Sequence, residues 1–244
     1  MLRLRGLRKA FGRLQVIDGL DLDVEAGCIT SVIGPNGAGK TTLFNLVTGR
    51  MAPDAGLIAF EGRPITGLAP HRVARLGIAR SFQITNVFPA LSVLENVRLA
   101  AQSRLPDALS LWRPAQRLTA AAEEARRVLE QMGLGHHVER PAFMLSHGDQ
   151  RQLEIAMAVA TGPRLLMLDE PTSGMSATET AATMRLIAEI GRRLTVLIIE
   201  HDMELVMSLS HRVVVMAVGR KIAEGRPEEV AHDPEVRRVY LGGL

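Results

Sequence analysis

"GPNGAGKTT", residues Gly34 to Thr42, decides how the rest of the chain is read. It matches G-x-x-x-x-G-K-[ST], a pattern that acquires meaning when a strand precedes it and a helix follows. Both are predicted here. "CITSVIG" reads as a buried strand ending in glycine, and "TTLFNLVTG" as a helix that starts near Gly39 or Lys40 and stops at Gly49. Glycines let the backbone wrap closely around phosphate oxygens, with N–H groups and the positive helix end pointing inward. The candidate cradle is Gly34, Pro35, Asn36, Gly37, Ala38, Gly39, Lys40, Thr41 and Thr42. Lys40 supplies a compact charge to the β- and γ-phosphates of a nucleotide, and Thr41 offers its hydroxyl to Mg²⁺. The chain has 26 arginines and 3 lysines, so drift toward arginine has left lysine at this position. A planar arginine fork is bulkier and does not suit the same pocket.

Upstream, Leu20, Leu22 and Val24 share one face of a strand and Asp21 and Asp23 the other, before a turn at Glu25 to Gly27. Ala55 to Ile65 reads as a second small hairpin. From about Pro70 to Ala160 the pattern is mainly helical. Leu118, Ala121, Ala125, Val128 and Met132 recur at helical spacing, and Gly133 ends the run. Two apolar strands follow, "RLLMLDE" and "LTVLIIEHD", with a helical pattern between them. The tail reads as a hairpin about Gly219, then short helices, one starting at Asp233-Pro234. Strands alternating with helices predict an α/β protein with a mainly parallel sheet covered on both faces.

At 244 residues and 47% hydrophobic, the chain can bury a full core. Aromatic residues make up only 3%, which argues against a stacking surface for single-stranded nucleic acid. The net charge of +3 and pI of about 9.6 come from scattered basic residues rather than a block, so no nucleic-acid partner is expected. The single cysteine, Cys28, fits a reducing compartment and is expected to be a small buried residue on a strand. No apolar run approaches the ~20 residues of a spanning helix, and "MLRLRGLRKA" lacks the apolar stretch of a secretory signal. A cytoplasmic, soluble protein is expected, with any membrane role acting through a partner.

"LLMLDE" places Asp169 and Glu170 at the end of an apolar strand, where open parallel sheets bind ligands. Asp169 is a candidate holder of Mg²⁺, and Glu170 a candidate base for an attacking water. His201 ends the other strong strand, where it can contact the γ-phosphate or orient the water. His136 and His137 lack a ligand partner at metal spacing, and His71, His211 and His232 read as surface residues. Trp112 reads as partly buried.

"LSHGDQ", Leu145 to Gln150, puts serine, histidine and aspartate within four positions. Members of a Ser-His-Asp triad normally come from distant parts of a chain, so this is not one. Ser146 is a good N-cap, Asp149 at S-x-x-D spacing predicts a capping box, and Leu153, Met157 and Ala160 form an apolar stripe below. The stretch therefore reads as a capped helix whose N–H groups and dipole can meet an anion.

Taken together, the phosphate loop, Gln83 in "SFQITNVF", "LSHGDQ", "LLMLDE" and "IEHD" resemble, in that order, the ATPase subunits of ABC transporters, over essentially the whole chain. The resemblance implies one domain, 1–244. It would comprise a P-loop NTPase core, an N-terminal antiparallel β subdomain and a helical subdomain inserted at approximately 84–160. It implies a second ATPase subunit, identical or related, facing this one head to tail, so that Ser146 and Gly148 close over ATP held by the partner. Phe11 would stack on the adenine, Gln83 would touch Mg²⁺ or the water, and residues 84–98 would line the groove that receives a helix of a membrane permease. The chain would sit on the cytoplasmic face of the inner membrane, depending indirectly on a solute-binding protein. Where the family usually has glycine and glutamine this chain has His147 and Asp149. Ser176 stands where an aspartate commonly helps join the two active sites, which implies weaker coupling between them. "LSHGDQRQLEIAM", "PTSGMS", "IEHDMELVM" and "YLGGL" are similar to importers of branched-chain amino acids and related amides, including urea. Two alternatives remain open at this point: a soluble ABC-type ATPase acting on ribosomes or DNA, and a weakly hydrolysing regulatory subunit.

Overall fold

The computed structural model describes residues 1–81, 87–104 and 115–241. In chain order, β1 (Leu2–Phe11) and β2 (Leu14–Val24) form a hairpin, and β3 (Ile29–Ile33) leads through the glycine-rich loop into α1 (Lys40–Val47). There follow β4 (Ala55–Phe60), β5 (Arg63–Pro64), α2 (Pro70–Arg75) and β6 (Ile78–Arg80). Three helices come next: α3 (Val93–Gln102), α4 (Ala115–Gln131) and α5 (His147–Ala160). The chain then returns through β7 (Leu165–Asp169), α6 (Ala177–Gly191), β8 (Thr195–Ile199), α7 (Met203–Leu209), β9 (Arg212–Ala217), β10 (Arg220–Gly225), α8 (Pro227–Ala231) and α9 (Pro234–Leu241).

Two sheets result, and the sequence pattern explains their difference. The antiparallel sheet has order β2-β1-β4-β5 and solvates one face, so its strands alternate. Leu2 and Leu4 of β1 and Leu20, Leu22 and Val24 of β2 are buried, with charged residues between them. The second sheet has order β10-β9-β3-β8-β7-β6. β9, β3, β8, β7 and β6 run parallel, and β10 closes one edge antiparallel. Every residue of β3, β7 and β8 is buried, as a parallel sheet covered on both faces requires.

Period-2 alternation divides those strands between two cores. Val32, Leu165, Met167, Leu197 and Ile199 pack with Leu43 and Phe44 of α1 and with the antiparallel sheet. Ile29, Leu166, Leu168, Val196 and Ile198 face the other way, onto α5, α6 and the inserted helices. Within α4, Ala121, Ala125 and Val128 are buried, as is Met132 just beyond it, and Gly133 closes the turn at φ +73°. The Leu118 side chain and Trp112 lie outside what is described.

Two sequence expectations are corrected. Cys28 is half-buried and precedes β3 rather than lying on it, because the turn at Glu25 to Gly27 extends to it before pairing begins at Ile29. Helix α5 buries far more than one stripe. Arg151, Leu153, Glu154, Ile155, Ala156, Ala158 and Ala160 are all buried, since α5 is wedged among α3, α4, α6 and β6.

Candidate functional site

The loop after β3 is rigid at its base and open at its tip. Gly34 has φ +151° and Gly39 φ +100°. A Cβ at Gly34 would lie 2.1 Å from the Met216 carbonyl oxygen, and one at Gly39 2.7 Å from that of Val16. Any side chain at either position would push the loop off the strands behind it. Pro35, Asn36 and Gly37 are exposed, and a Cβ at Gly37, φ +80°, would meet nothing within 4 Å. Backbone amides at this tip are thus free to face a ligand. Gly39 N-caps α1 in the left-handed conformation with no side chain over the helix end. Lys40 is buried, its Nζ donating to the carbonyls of Gly34 (2.6 Å) and Pro35 (3.1 Å). Burial lowers the Lys40 pKa, while the charges of Glu170 and Asp169 raise it. The fold therefore brings the phosphate loop and the end of β7 within electrostatic reach.

At that strand end Asp169 is buried, and its Oδ2 accepts from Arg80 Nη2 at 2.6 Å. Arg80 also donates to Asn45 Oδ1 of α1 at 2.7 Å and lies 5.4 Å from the Phe44 ring centroid. Burial lowers the Arg80 pKa, against the hydrogen bond to Asp169 that raises it. Glu170 is half-buried and occupies the left-handed region at φ +46°. For a residue with a side chain that conformation costs on the order of 1–3 kcal/mol and persists only where the surroundings impose it. Its N–H donates to Ile199 O at 2.9 Å, and Arg151 reaches its carbonyl from α5. His201 is 62% exposed, and its Nδ1 lies 3.7 Å from Oε2 of the buried Glu200. Glu200 in turn accepts from the Thr172 hydroxyl at 2.7 Å. Phe11 is exposed at the end of β1 with Lys9 Nζ 5.9 Å from its ring centroid. Gln83 lies outside the described residues.

The residues fit nucleotide and metal by their chemistry. An open-tipped glycine loop, a buried ammonium and a helix N-terminus suit phosphate oxygens. Thr41, in the first turn of α1, and Asp169 offer the hard oxygen donors that Mg²⁺ prefers.

Ser146 N-caps α5, its Oγ accepting from Asp149 N at 3.1 Å. The expected capping box is only half made. Asp149 Oδ2 takes the Ser146 hydroxyl at 2.9 Å, not the cap's backbone N–H. A complete box forms at Ser176 and Glu179 on α6. Glu179 also covers the start of α5: a Cβ at Gly148 would come 2.6 Å from its Oε1. Hydrogen bonds from Ser176 hold the Glu179 carboxyl below its usual range, aided by the Gly148 amide. Among the described residues no hydrogen bond or ion pair joins Ser146 or Gly148 to this chain's own phosphate loop.

Arg80, Arg151, Glu179 and Glu200 escaped the sequence reading. Glu179 leaves a trace in the S-x-x-E spacing after Ser176; the others show only a charge set in or beside an apolar run, as in "GIAR" and "RQLEIA".

A strand, a phosphate loop and a helix facing a carboxylate-tipped parallel strand define a P-loop nucleotide-binding protein. Comparison with known proteins narrows the class. The ABC transporter family profile matches residues 17–173, and that of the branched-chain amino acid ATP-binding cassette transporter matches 220–243. The chain is similar to the high-affinity branched-chain amino acid transport ATP-binding protein LivG of Salmonella typhimurium, at 42% identity over 99% of this chain and 98% of LivG. It is equally similar to the corresponding protein BraF of Pseudomonas aeruginosa, at 42% over the same shares. The crystal structure of the ADP conformation of MJ1267, an ATP-binding cassette of an ABC transporter, superposes with a TM-score of 0.87 at 32% identity, covering 99% of this chain and 98% of MJ1267. The chain belongs to the ABC transporter family and is one of its ATP-binding ATPase subunits.

Proposed function

We propose that this ATPase powers import of branched-chain amino acids or closely related amides, docked on the cytoplasmic face of the inner membrane against permease subunits fed by a solute-binding protein. The observation that carries its chemistry is the convergence of Lys40 with Asp169 and Glu170 at the ends of the parallel strands. The solute class is supported by the match of residues 220–243 and by the LivG and BraF likeness. Among the described residues no helix is long and apolar enough to cross a membrane, which is consistent with docking on a permease. A groove of about 1140 Å³, lined in part by Arg50, His71, Arg75, Arg104 and Arg164, is suited to receive a permease segment. Its lining comes from the segment after α1, from α2 and β6, from the end of α3, and from α5 with the turn beyond it. Within approximately 84–160, helices α3, α4 and α5 would act as an inserted helical subdomain.

In this reading Gly34 to Thr42 wrap the phosphates and Phe11 stacks on the adenine. Thr41 and Asp169 hold Mg²⁺, with Gln83 beside it; when bound, the ion neutralises charge developing on the phosphates. Glu170 accepts the proton of the attacking water, and His201 steadies that water or the γ-phosphate. Ser146 and Gly148 close over nucleotide held by a second subunit. Glu170→Gln tests the assignment: nucleotide affinity is retained, turnover falls by at least about 100-fold, and a nucleotide-dependent dimer accumulates on size exclusion. Unchanged turnover removes Glu170 from the role of base. Uptake into vesicles by the complex copurified with this chain, leucine against urea, tests the solute class.

A further inference from the structure

Arg151 is a charged residue inside a closely packed helix. Its side chain is 5% exposed, as is that of Glu154 one turn along α5. Nη1 donates to Glu154 Oε2 at 2.6 Å. Nη2 donates to two successive carbonyls at the end of β7, Asp169 O at 2.6 Å and Glu170 O at 3.1 Å. Buried ion pairs are not in themselves stabilising, because apolar side chains of equal volume often serve as well. A guanidinium differs from such side chains in direction: its planar fork fixes where each donor points. Here one prong is anchored on Glu154 and the other grips the peptide where the backbone turns left-handed. On the opposite side the Glu170 N–H is held by Ile199 O of β8. The turn that aims the Glu170 carboxylate is thus clamped from β8 through its N–H and from α5 through its carbonyl.

We infer that Arg151 is a positioning residue for ATP hydrolysis: it holds the left-handed turn at Glu170 and ties the base to the helix whose Ser146 end faces the second subunit. The inference rests on the assignment of Glu170 as base. The test uses the full chain in two variants. Arg151→Met/Glu154→Met removes both charges at nearly constant length, so neither is left without the other. Arg151→Lys keeps the pair with Glu154 but replaces the fork with a point charge.

Three quantities are read: affinity for a fluorescent ATP analogue, Mg²⁺-dependent ATP hydrolysis, and hydrogen–deuterium exchange of the 169–173 segment in nucleotide-free protein. In the double variant affinity stays within about twofold, hydrolysis falls about tenfold or more, and the 169–173 segment exchanges faster while the other strands of the sheet do not. Adding Glu170→Gln then lowers the rate much less than it does in the parent. Arg151→Lys falls between. Parent-like hydrolysis and exchange in both variants overturn the inference, as does a parallel loss of affinity, rate and protection across the whole sheet, which marks a merely structural residue. If the double variant does not fold, Arg151→Lys decides alone: a slower rate at constant affinity supports the role and an unchanged rate ends it. Failure of the base assignment reads differently, as Glu170→Gln leaving turnover intact while the exchange result still reports the clamp.

Discussion

Asp169 is the residue on which the site's electrostatics turn. It is buried, a carboxylate there is costly without a counter-charge, and Arg80 supplies one at 2.6 Å. Removing one partner of a buried pair leaves the other uncompensated. Arg80→Met is therefore expected to destabilise the fold by about 3 kcal/mol, read as a lower denaturant midpoint. Asp169→Asn in the same chain recovers much of the loss, because contacting groups are not additive. A loss under about 1 kcal/mol means that water reaches Asp169 and that the pair is not what holds it. At this scale the sequence was legible wherever local spacing fixes a position, as for Lys40 and Thr41 at the start of α1 and Asp169 and Glu170 at the end of β7. It was silent where the partner is distant: Arg80 and Asp169 are 89 positions apart. Arg151 meets the β7 carbonyls across 18 and 19 positions. Arg80 belongs to no spacing pattern, and local spacing pairs Arg151 only with Glu154, three residues on; tertiary packing creates their contacts with β7.

At the scale of elements, caps and alternation carried the reading, and their failures are informative. Strands β3, β7 and β8, helix α1 and both hairpins lie where apolar runs, glycines and turns put them. The two helix starts at Ser146 and Ser176 are less regular. S-x-x-D at Ser146 and S-x-x-E at Ser176 look equivalent in sequence, yet only the longer Glu179 side chain reaches back to its cap's N–H, at 2.9 Å. Asp149 is one methylene shorter and turns to the Ser146 hydroxyl instead. Ser176 is thus committed to its own helix. Ser176→Ala is expected to cost about 1 kcal/mol, seen as a lower melting temperature with nucleotide affinity unchanged. It also frees Glu179, which covers Gly148 at the start of α5. Destabilisation of under about 0.3 kcal/mol would mean that water substitutes for the cap.

At the scale of the whole molecule, the proposed function divides one chain into two half-sites, and among the described residues no hydrogen bond or ion pair joins them. The phosphate loop, Asp169 and Glu170 converge at the ends of the strands, while Ser146 and Gly148 head a different helix that, among the described residues, makes no polar bond to that loop. In the proposed assembly, two copies facing head to tail would complete both halves by symmetry: a two-fold axis that places one α5 end over the partner's loop places the reverse pair as well. Lys40→Ala damages the site containing its own loop, and Ser146→Arg the site containing its partner's. Each variant alone spoils both sites of its dimer. A mixed dimer spoils one site twice and leaves the other whole. With random pairing of equal amounts, half the dimers are mixed and each keeps one site, so the mixture is expected to regain about a quarter of the parent turnover. That recovery requires the surviving site to work beside a dead one. The engagement of Ser176 in its own capping box, in place of a cross-interface carboxylate, is the structural reason to expect that it does. Turnover of the mixture no greater than the mean of the two variants would show either that the sites are obligatorily coupled or that α5 does not complete the partner's site. Nucleotide-stabilised dimer formation by the Ser146→Arg chain with Lys40→Ala partners separates the two: coupled sites still pair, whereas an α5 that lies elsewhere gives no pairing.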